Sequence, residues 1–338
     1  MQKIAINYNL KKHNTFSVNI HTKYFTSFNS EEDLRKILNS KICQKEKILV
    51  LGGGSNILFT QDISGIVLHN NITGISIIKE EKDNVIVKVG AGVVWHDFVI
   101  WSVERNLSGI ENLALIPGSV GASPIQNIGA YGVEVKDTIK EVVGVNINNK
   151  KERKFSNYDC NFSYRNSIFK DELRDKYIIT QVIFKLSKKY LNITSYGDVK
   201  KELDSLKLPA NPKNISTAII NIRNMKLPNP KELANSGSFF KNPIISISKF
   251  NRIKEKFPNI ISYKISEKEM KIAAGWLIEN AGLKGYRAGD AGIHINQALV
   301  IVNYGKATGL EILNLANHIK SKIKKIYGIS IENEVNIL

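Results

Sequence analysis

Apolar and polar positions alternate in two different rhythms along this chain. In the first half, apolar runs are short and end at glycine. Lys47–Leu51 (KILVL) reads as a buried strand that stops at Gly52-Gly53-Gly54. Val85–Val89 (VIVKV) alternates and stops at Gly90. Residues 139–147 and 177–186 return to strand-like runs. Helices are few here. Ser30 followed by Glu31-Glu32-Asp33 predicts a short capped helix, and Val93–Asn106 spaces Trp95, Phe98, Val99 and Val103 as a second, with Gly109 beyond its end.

The last third changes rhythm. Ser266-Glu267-Lys268-Glu269 predicts a capping box opening a helix through about Asn280, ending at Gly282. Thr308-Gly309-Leu310-Glu311 predicts another, with Leu313, Ala316, Ile319, Ile323 and Ile326 on one face and Gly328 as its stop. Beyond it, Ile329, Ile331, Asn333, Val335 and Ile337 alternate with Ser330, Glu332, Glu334 and Asn336, predicting a terminal strand that carries both glutamates on one face. The Pro-containing stretch 209–230 marks a boundary between an N-terminal αβ half and a smaller C-terminal αβ domain.

Composition narrows the class. The 338 residues, 43% hydrophobic and 23% charged, suit a folded protein of two domains, or one large one. No apolar run approaches a bilayer span, and the first twelve residues lack the apolar core of a secretory signal. Cys43 and Cys160 are the only cysteines, which excludes a disulfide scaffold or a Cys-rich metal site and fits a reducing cytoplasm. The six histidines show no metal-ligand spacing, so no metal is expected. Lys+Arg exceeds Asp+Glu by 48 to 31, a net +17 that attracts phosphates. The lysines are scattered rather than striped, so nucleic acid is not the expected partner.

Candidate chemistry lies in five places. Gly52-Gly53-Gly54-Ser55-Asn56 follows a buried strand and reads as a phosphate nest or as a plain hairpin turn; it fails as a Rossmann fingerprint, because Ile57 stands where the third glycine belongs. Residues 117–132 (PGSVGASPIQNIGAYG) carry four glycines and two prolines, too many for a strand or helix, and loops of this length inside a domain are usually functional. Two such loops in one half suggest an extended dinucleotide held between them. Tyr164-Arg165-Asn166-Ser167 offers an arginine fork for a carboxylate. Asn235–Pro243 carries Ser238, and the tail carries Glu332 and Glu334. No Ser-His-Asp arrangement is legible.

Taken together, LGGGSN at 51–56, ENLALIPGSVGASPIQNIGAYG at 111–132, YRNSIF at 164–169, GSFFKNP at 237–243 and AAGWLIENAGLKG at 273–285 resemble the UDP-N-acetylenolpyruvoylglucosamine reductases, the MurB family, in the family's order and over nearly the whole chain. Leu191–Val199, with Tyr196-Gly197-Asp198, resembles the loop of the subclass that closes a tyrosine over its substrate.

The resemblance implies an α+β fold. A two-subdomain FAD-binding domain of the vanillyl-alcohol-oxidase type would cover 1–188, split near 70–75. The tyrosine loop and connection would cover 189–226. A smaller α/β substrate-binding domain would cover 227–338, its last strand returning to the active site. It also implies a cytoplasmic flavoprotein oxidoreductase of peptidoglycan precursor synthesis, and so of cell wall biogenesis, cell shape and division. FAD would be bound noncovalently. NADPH reduces it, hydride then passes from flavin N5 to the enolpyruvyl β-carbon of the UDP-sugar, and a proton is added at the α-carbon, giving UDP-N-acetylmuramate.

By the same carry-over Arg165, Ser238 and Glu334 are catalytic, with Ser238 as proton donor. FAD falls to Gly52, Gly53, Gly54, Ser55, Asn56, Pro117, Gly118, Ser119, Gly121, Ala122, Ser123, Asn127, Gly129, Ala130 and Tyr131. Substrate falls to Tyr164, Tyr196, Lys226, Asn242 and Gln297. The partners expected are small molecules, with no membrane and no nucleic acid, and the protein is expected to be a monomer. Two positions depart from the family text: Gly53 stands where many relatives have a charged residue, and Asn336 stands where they have arginine. A flavin oxidase acting on another substrate is the competing reading, and the GSFF serine and late glutamate argue against it.

Overall fold

The computed structural model describes residues 3–338, which divide into two compact units. The first comprises residues up to Tyr8, His21–Gly54 and Ile63–Met225; the second comprises Asn9–Ile20, Ser55–Asp62 and Lys226–Leu338.

The first unit contains two sheets. In one, the strands run in the order Ala5–Asn9, His21–Phe28, Ile63–Asn70, Ile48–Leu51, and the last three are parallel. Leu34, Ile37 and Leu38 of the helix Glu31–Leu38 share a core with Phe28, Ile66 and Leu68 from this sheet. Ser30 caps that helix as its sequence predicts, its hydroxyl accepting from Asp33 N–H. The second sheet is antiparallel, ordered Glu152–Ser156, Ile139–Asn146, Tyr177–Ser187, Asn84–Gly90, Ile75–Glu80. The changeover between the sheets falls between Asn70 and Ile75. The helix Trp95–Val103, three residues shorter than expected at its far end, buries Trp95, Phe98 and Val99 against Phe184.

The second unit is built on a sheet ordered Ala234–Ser238, Val300–Asn303, Ala291–Ile293, Arg287–Ala288. Thr308 and Glu311 form the predicted reciprocal capping box, and the helix runs Gly309–Tyr327 to a left-handed Gly328. Its buried face is Ile312, Leu315, Ala316, Ile319, Ile323 and Tyr327, so Leu313 and Ile326 lie off the stripe expected of them.

The other predicted box fails. Ser266 and Glu269 close a hairpin between Ser262–Lys264 and Glu269–Ile272, and the helix begins only at Ala274. The ladder with Ile244–Ser246 recruits residues 269–272 before a helix can form. The terminal strand alternates in burial as expected, yet only Asn336–Ile337 pairs as a strand, parallel to Ile57–Leu58.

The early segments of this unit are held by buried polar groups. Asn14 donates to the carbonyls of Leu10 and Val18 and accepts from Val18 N–H. Asn303 donates to Phe16 O, and Asn235 N–H to Thr15 O. Cys43 and Cys160 are buried and free. Among the described residues no helix is long and apolar enough to cross a membrane.

Candidate active site

In the first unit the two glycine-rich segments lie back to back. A Cβ on Gly52 would fall 2.3 Å from Ser119 Oγ, and one on Gly53 would fall 3.1 Å from Gly118 Cα. A side chain on Gly52 would displace the Ser119 hydroxyl, and one on Gly53 would crowd the Gly118 backbone, so glycine lets the two segments approach this closely. The helix Trp95–Val103 fixes this approach. Trp95 N–H donates to Gly118 O and its indole Nε1 to Leu113 O, while Leu115 N–H donates to His96 Nδ1 at 3.0 Å.

The N–H groups of Val120, Gly121, Ala122 and Ser123 turn inward, onto the carbonyls of Val93, Ala91, Ser119 and Val120. A Cβ on Gly121 would meet Ala91 Cβ at 2.5 Å. Asn127 is likewise committed to the protein: its Nδ2 donates to Glu134 and Ser163 O, and its Oδ1 accepts from Lys136 N–H. These residues shape the segment. At Gly52–Gly53 and Gly118–Ser119 the two segments pack closely, with little side-chain bulk between them.

Arg165 sits beside the far end of the same segment. Its Nη2 donates to Gly129 O at 2.8 Å, and its guanidinium lies 5.4 Å from the Tyr164 ring centre. Its backbone is left-handed (φ 54°), an uncommon state for arginine that marks a constrained site. Tyr131 and Gly132 follow, both at positive φ, and pack against Tyr196 and Gly197.

In the second unit Ser238 is half-buried at the end of Ala234–Ser238, just after a register break. Gly237 there has φ 67°, and its N–H donates to Asn235 Oδ1. Such a bulge re-aims the next side chain, and buried Phe239 and Phe240 hold it there. Glu334 N–H donates to Phe239 O at 2.8 Å, so serine and glutamate are brought onto adjoining backbone.

Asn336, where the family text has arginine, donates both its N–H and its Nδ2 to Asn56 O, at 3.2 and 3.0 Å. Asn56 Nδ2 reaches back to Glu334 O at 3.4 Å. The two amides thus tie Asn56 to the last strand, on either side of Val335. Glu332 points elsewhere, paired with Lys241 at 3.0 Å on the surface. Asn242 Oδ1 accepts from Ala274 N–H, and Gln297 Oε1 lies 3.4 Å from a Cβ placed on Gly275, so both meet the start of the helix Ala274–Asn280. Lys226 ends the helix Pro212–Lys226 and is exposed.

Residues 229–338 match the C-terminal domain model of UDP-N-acetylenolpyruvoylglucosamine reductase, and residues 22–149 match an FAD-binding domain model. The chain is 50% identical to the UDP-N-acetylenolpyruvoylglucosamine reductase of Flavobacterium johnsoniae, over 99% of this chain and 100% of that protein. The chain belongs to the UDP-N-acetylenolpyruvoylglucosamine reductase family. It is 45% identical to that of Pseudomonas savastanoi, over 97% of each. The fold is similar to the crystal structure of the reductase from Thermus caldophilus, with TM-score 0.68, 22% identity, and coverage of 100% of this chain and 98% of that one.

Two site neighbours went unread in the sequence. Arg223 lies one turn before Lys226 on the same helix, with a buried Nε that has no partner. Burial holds its guanidinium below the usual arginine range, opposed by the charge and hydrogen bond of Tyr131. The spacing of three to Lys226 was the only signal available. Burial likewise lowers the His96 pKa; Asp97 opposes this and Arg223 adds to it.

His96 therefore favours the fold above the ordinary histidine pKa of about 6.5, and that contribution is lost as pH falls through its lowered folded value. The melting temperature should drop between pH 7 and pH 5. His96→Gln keeps an acceptor and cannot titrate, so it should drop less. An unchanged drop would assign the effect to His13 and His294, whose pKa values burial also lowers.

Proposed function

We propose that this chain reduces the enolpyruvyl ether of UDP-N-acetylglucosamine to UDP-N-acetylmuramate with Arg165, Ser238 and Glu334 as its catalytic residues. The chain is an FAD-dependent oxidoreductase of peptidoglycan precursor synthesis, with NADPH as reductant. The observation that supports assigning Ser238 and Glu334 together is the bond from Glu334 N–H to the carbonyl of Phe239, the residue after Ser238, beside the tie from Asn336 through Asn56 to the Glu334 backbone.

FAD, when bound, supplies the two-electron relay that takes hydride from NADPH and delivers it to the double bond. Gly52–Asn56 and the segment 117–132 are assigned to its diphosphate; the close packing of Gly52 and Gly53 on Ser119 and Gly118, which leaves little side-chain bulk there, supports this. The protein's own task is the charge that follows. Hydride arriving at the β-carbon drives an electron pair to the α-carbon and its carboxylate, an enolate-like anion. The Arg165 fork stabilises that charge as it forms. Glu334 lies against the same carboxylate, so it acts protonated or hydrogen-bonded, since a bare carboxylate would repel. Ser238 Oγ gives its proton to the α-carbon, and the alkoxide is refilled from water or lysine. Lys226, Tyr196, Asn242 and Gln297 are assigned to the UDP and its diphosphate. The working form is a cytoplasmic monomer.

Purified protein should be yellow. Anaerobic NADPH should bleach it, and the enolpyruvyl UDP-sugar should restore the colour. Arg165→Lys, a point charge in place of a planar fork, should bleach normally and recolour at least about tenfold more slowly. Colourless protein that takes up no FAD would overturn the reading, and normal recolouring in Arg165→Lys would remove that residue from it.

A further inference from the structure

Asn112 is 2% exposed and stands in the one-turn helix Glu111–Leu113, ahead of the glycine-rich segment. Its amide nitrogen donates twice, to Tyr131 O at 2.9 Å and to Ile193 O at 2.8 Å. One acceptor closes the glycine-rich segment and the other lies in the tyrosine loop. Each hydrogen of one side chain therefore holds a different segment of the candidate site.

The loop needs such a tie. Residues 188–198 form no helix or strand, and most of them are exposed. A second bond comes from the same turn: Leu191 N–H donates to Ser108 Oγ, and Ser108 Oγ in turn donates to Glu111 Oε1 at 2.5 Å. Glu111 also accepts from Gly109 N–H, which fixes its carboxylate. At the loop's other end the two segments meet glycine to tyrosine. A Cβ on Gly132 would lie 3.3 Å from Tyr196 Cβ, and one on Gly197 would lie 3.6 Å from Tyr131 Cδ1. The Tyr131-Gly132 and Tyr196-Gly197 turns thus lie against one another, each glycine beside the other turn's tyrosine.

We propose that Asn112 is a positioning residue that couples the cofactor segment to the tyrosine loop, so that filling the flavin site orders the loop that receives the UDP-sugar. This rests on the functional reading above. An irregular segment gains order from whatever its bonds attach to. When Tyr131 O is fixed by a ligand held along 117–132, Asn112 is fixed with it, and Ile193 O follows. Ordering by the first ligand lowers what the second must supply, which is positive coupling without a new contact.

The experiment is hydrogen–deuterium exchange of residues 190–198 in the full chain, stripped of FAD and reloaded, with FAD uptake read separately from its fluorescence. Loading should slow exchange across 190–198 about tenfold or more in the natural protein. In Asn112→Ala the same loading should slow it less than about twofold while FAD still binds. The same variant should show a raised KM for the enolpyruvyl UDP-sugar with its NADPH bleaching rate little changed, a split that general loss of structure would not give. Should Asn112→Ala fail to melt cooperatively, Ser108→Ala, which removes the Leu191 tie together with the Ser108–Glu111 bond and leaves the Asn112 amide in place, should lose part of the protection. Full protection in every folded variant, or none in the natural protein despite bound FAD, would overturn the coupling. Failure to bind FAD at all would instead overturn the functional reading.

Discussion

Replacing Ser238 with alanine should leave bleaching by NADPH intact and slow recolouring by the enolpyruvyl UDP-sugar about a hundred- to ten-thousand-fold. The change removes one oxygen from a half-buried position and adds nothing. The bulge that aims the side chain is set by Gly237 at φ 67° and the Gly237 N–H to Asn235 Oδ1 bond, neither of which involves the serine hydroxyl. Phe239 and Phe240, packed at 5.1 Å between ring centres, keep the backbone in place. The variant should therefore fold, bind flavin and accept hydride from NADPH, and lack only the proton for the α-carbon. Stopped-flow absorbance separates the two halves. Equal slowing of both would show that the serine holds the site's shape rather than donating.

Gly309→Ala should be the most damaging small substitution away from the chemistry. A Cβ there would sit 1.7 Å from Phe59 O and 2.7 Å from Phe59 C, and both are backbone, so no side chain can swing aside. Alanine ordinarily improves a helix over glycine by about 1 kcal/mol, which makes the sign of the effect diagnostic. The helix Gly309–Tyr327 would have to part from residues 55–62, which pair with Asn336–Ile337 and carry Asn56 against Glu334. The cost should be about 3 kcal/mol, a fall in melting temperature of roughly 5 °C for a chain of this length. Calorimetry measures it, and a rise in melting temperature would refute the contact.

The text of the chain was unevenly legible, and the reason is physical. Thr308-x-x-Glu311 and Ser266-x-x-Glu269 read alike, but only the first becomes a cap. Nothing downstream of Glu311 competes for its backbone, whereas residues 269–272 have two strand partners waiting, and pairing with both outweighs a local cap. The terminal alternation read correctly as burial and poorly as a ladder. Its partner Ile57–Leu58 is two residues long, and single bonds to Lys241 and Phe239 do the rest.

The glycine loops and Ser238 were legible because glycine and motif order survive in one dimension. Residues 9–20 and 55–62 joining the second unit were not, since long-range partners leave no local periodicity. Asn112 and Arg223 were missed for the same reason: an asparagine amide and a helical arginine acquire meaning only from what surrounds them. The sequence showed Asn336 in place of the family's arginine, and the structure adds what the asparagine does, a bond to Asn56 O.

The two buried cysteines bear on how the protein meets oxidants. Burial pushes the Cys160 thiol up to about 12, with the Asp159 charge adding to it, and raises Cys43 despite a hydrogen bond from Ser40. At neutral pH both thiols therefore stay protonated. Peroxide and alkylating reagents attack the thiolate, so neither cysteine is an easy target for them.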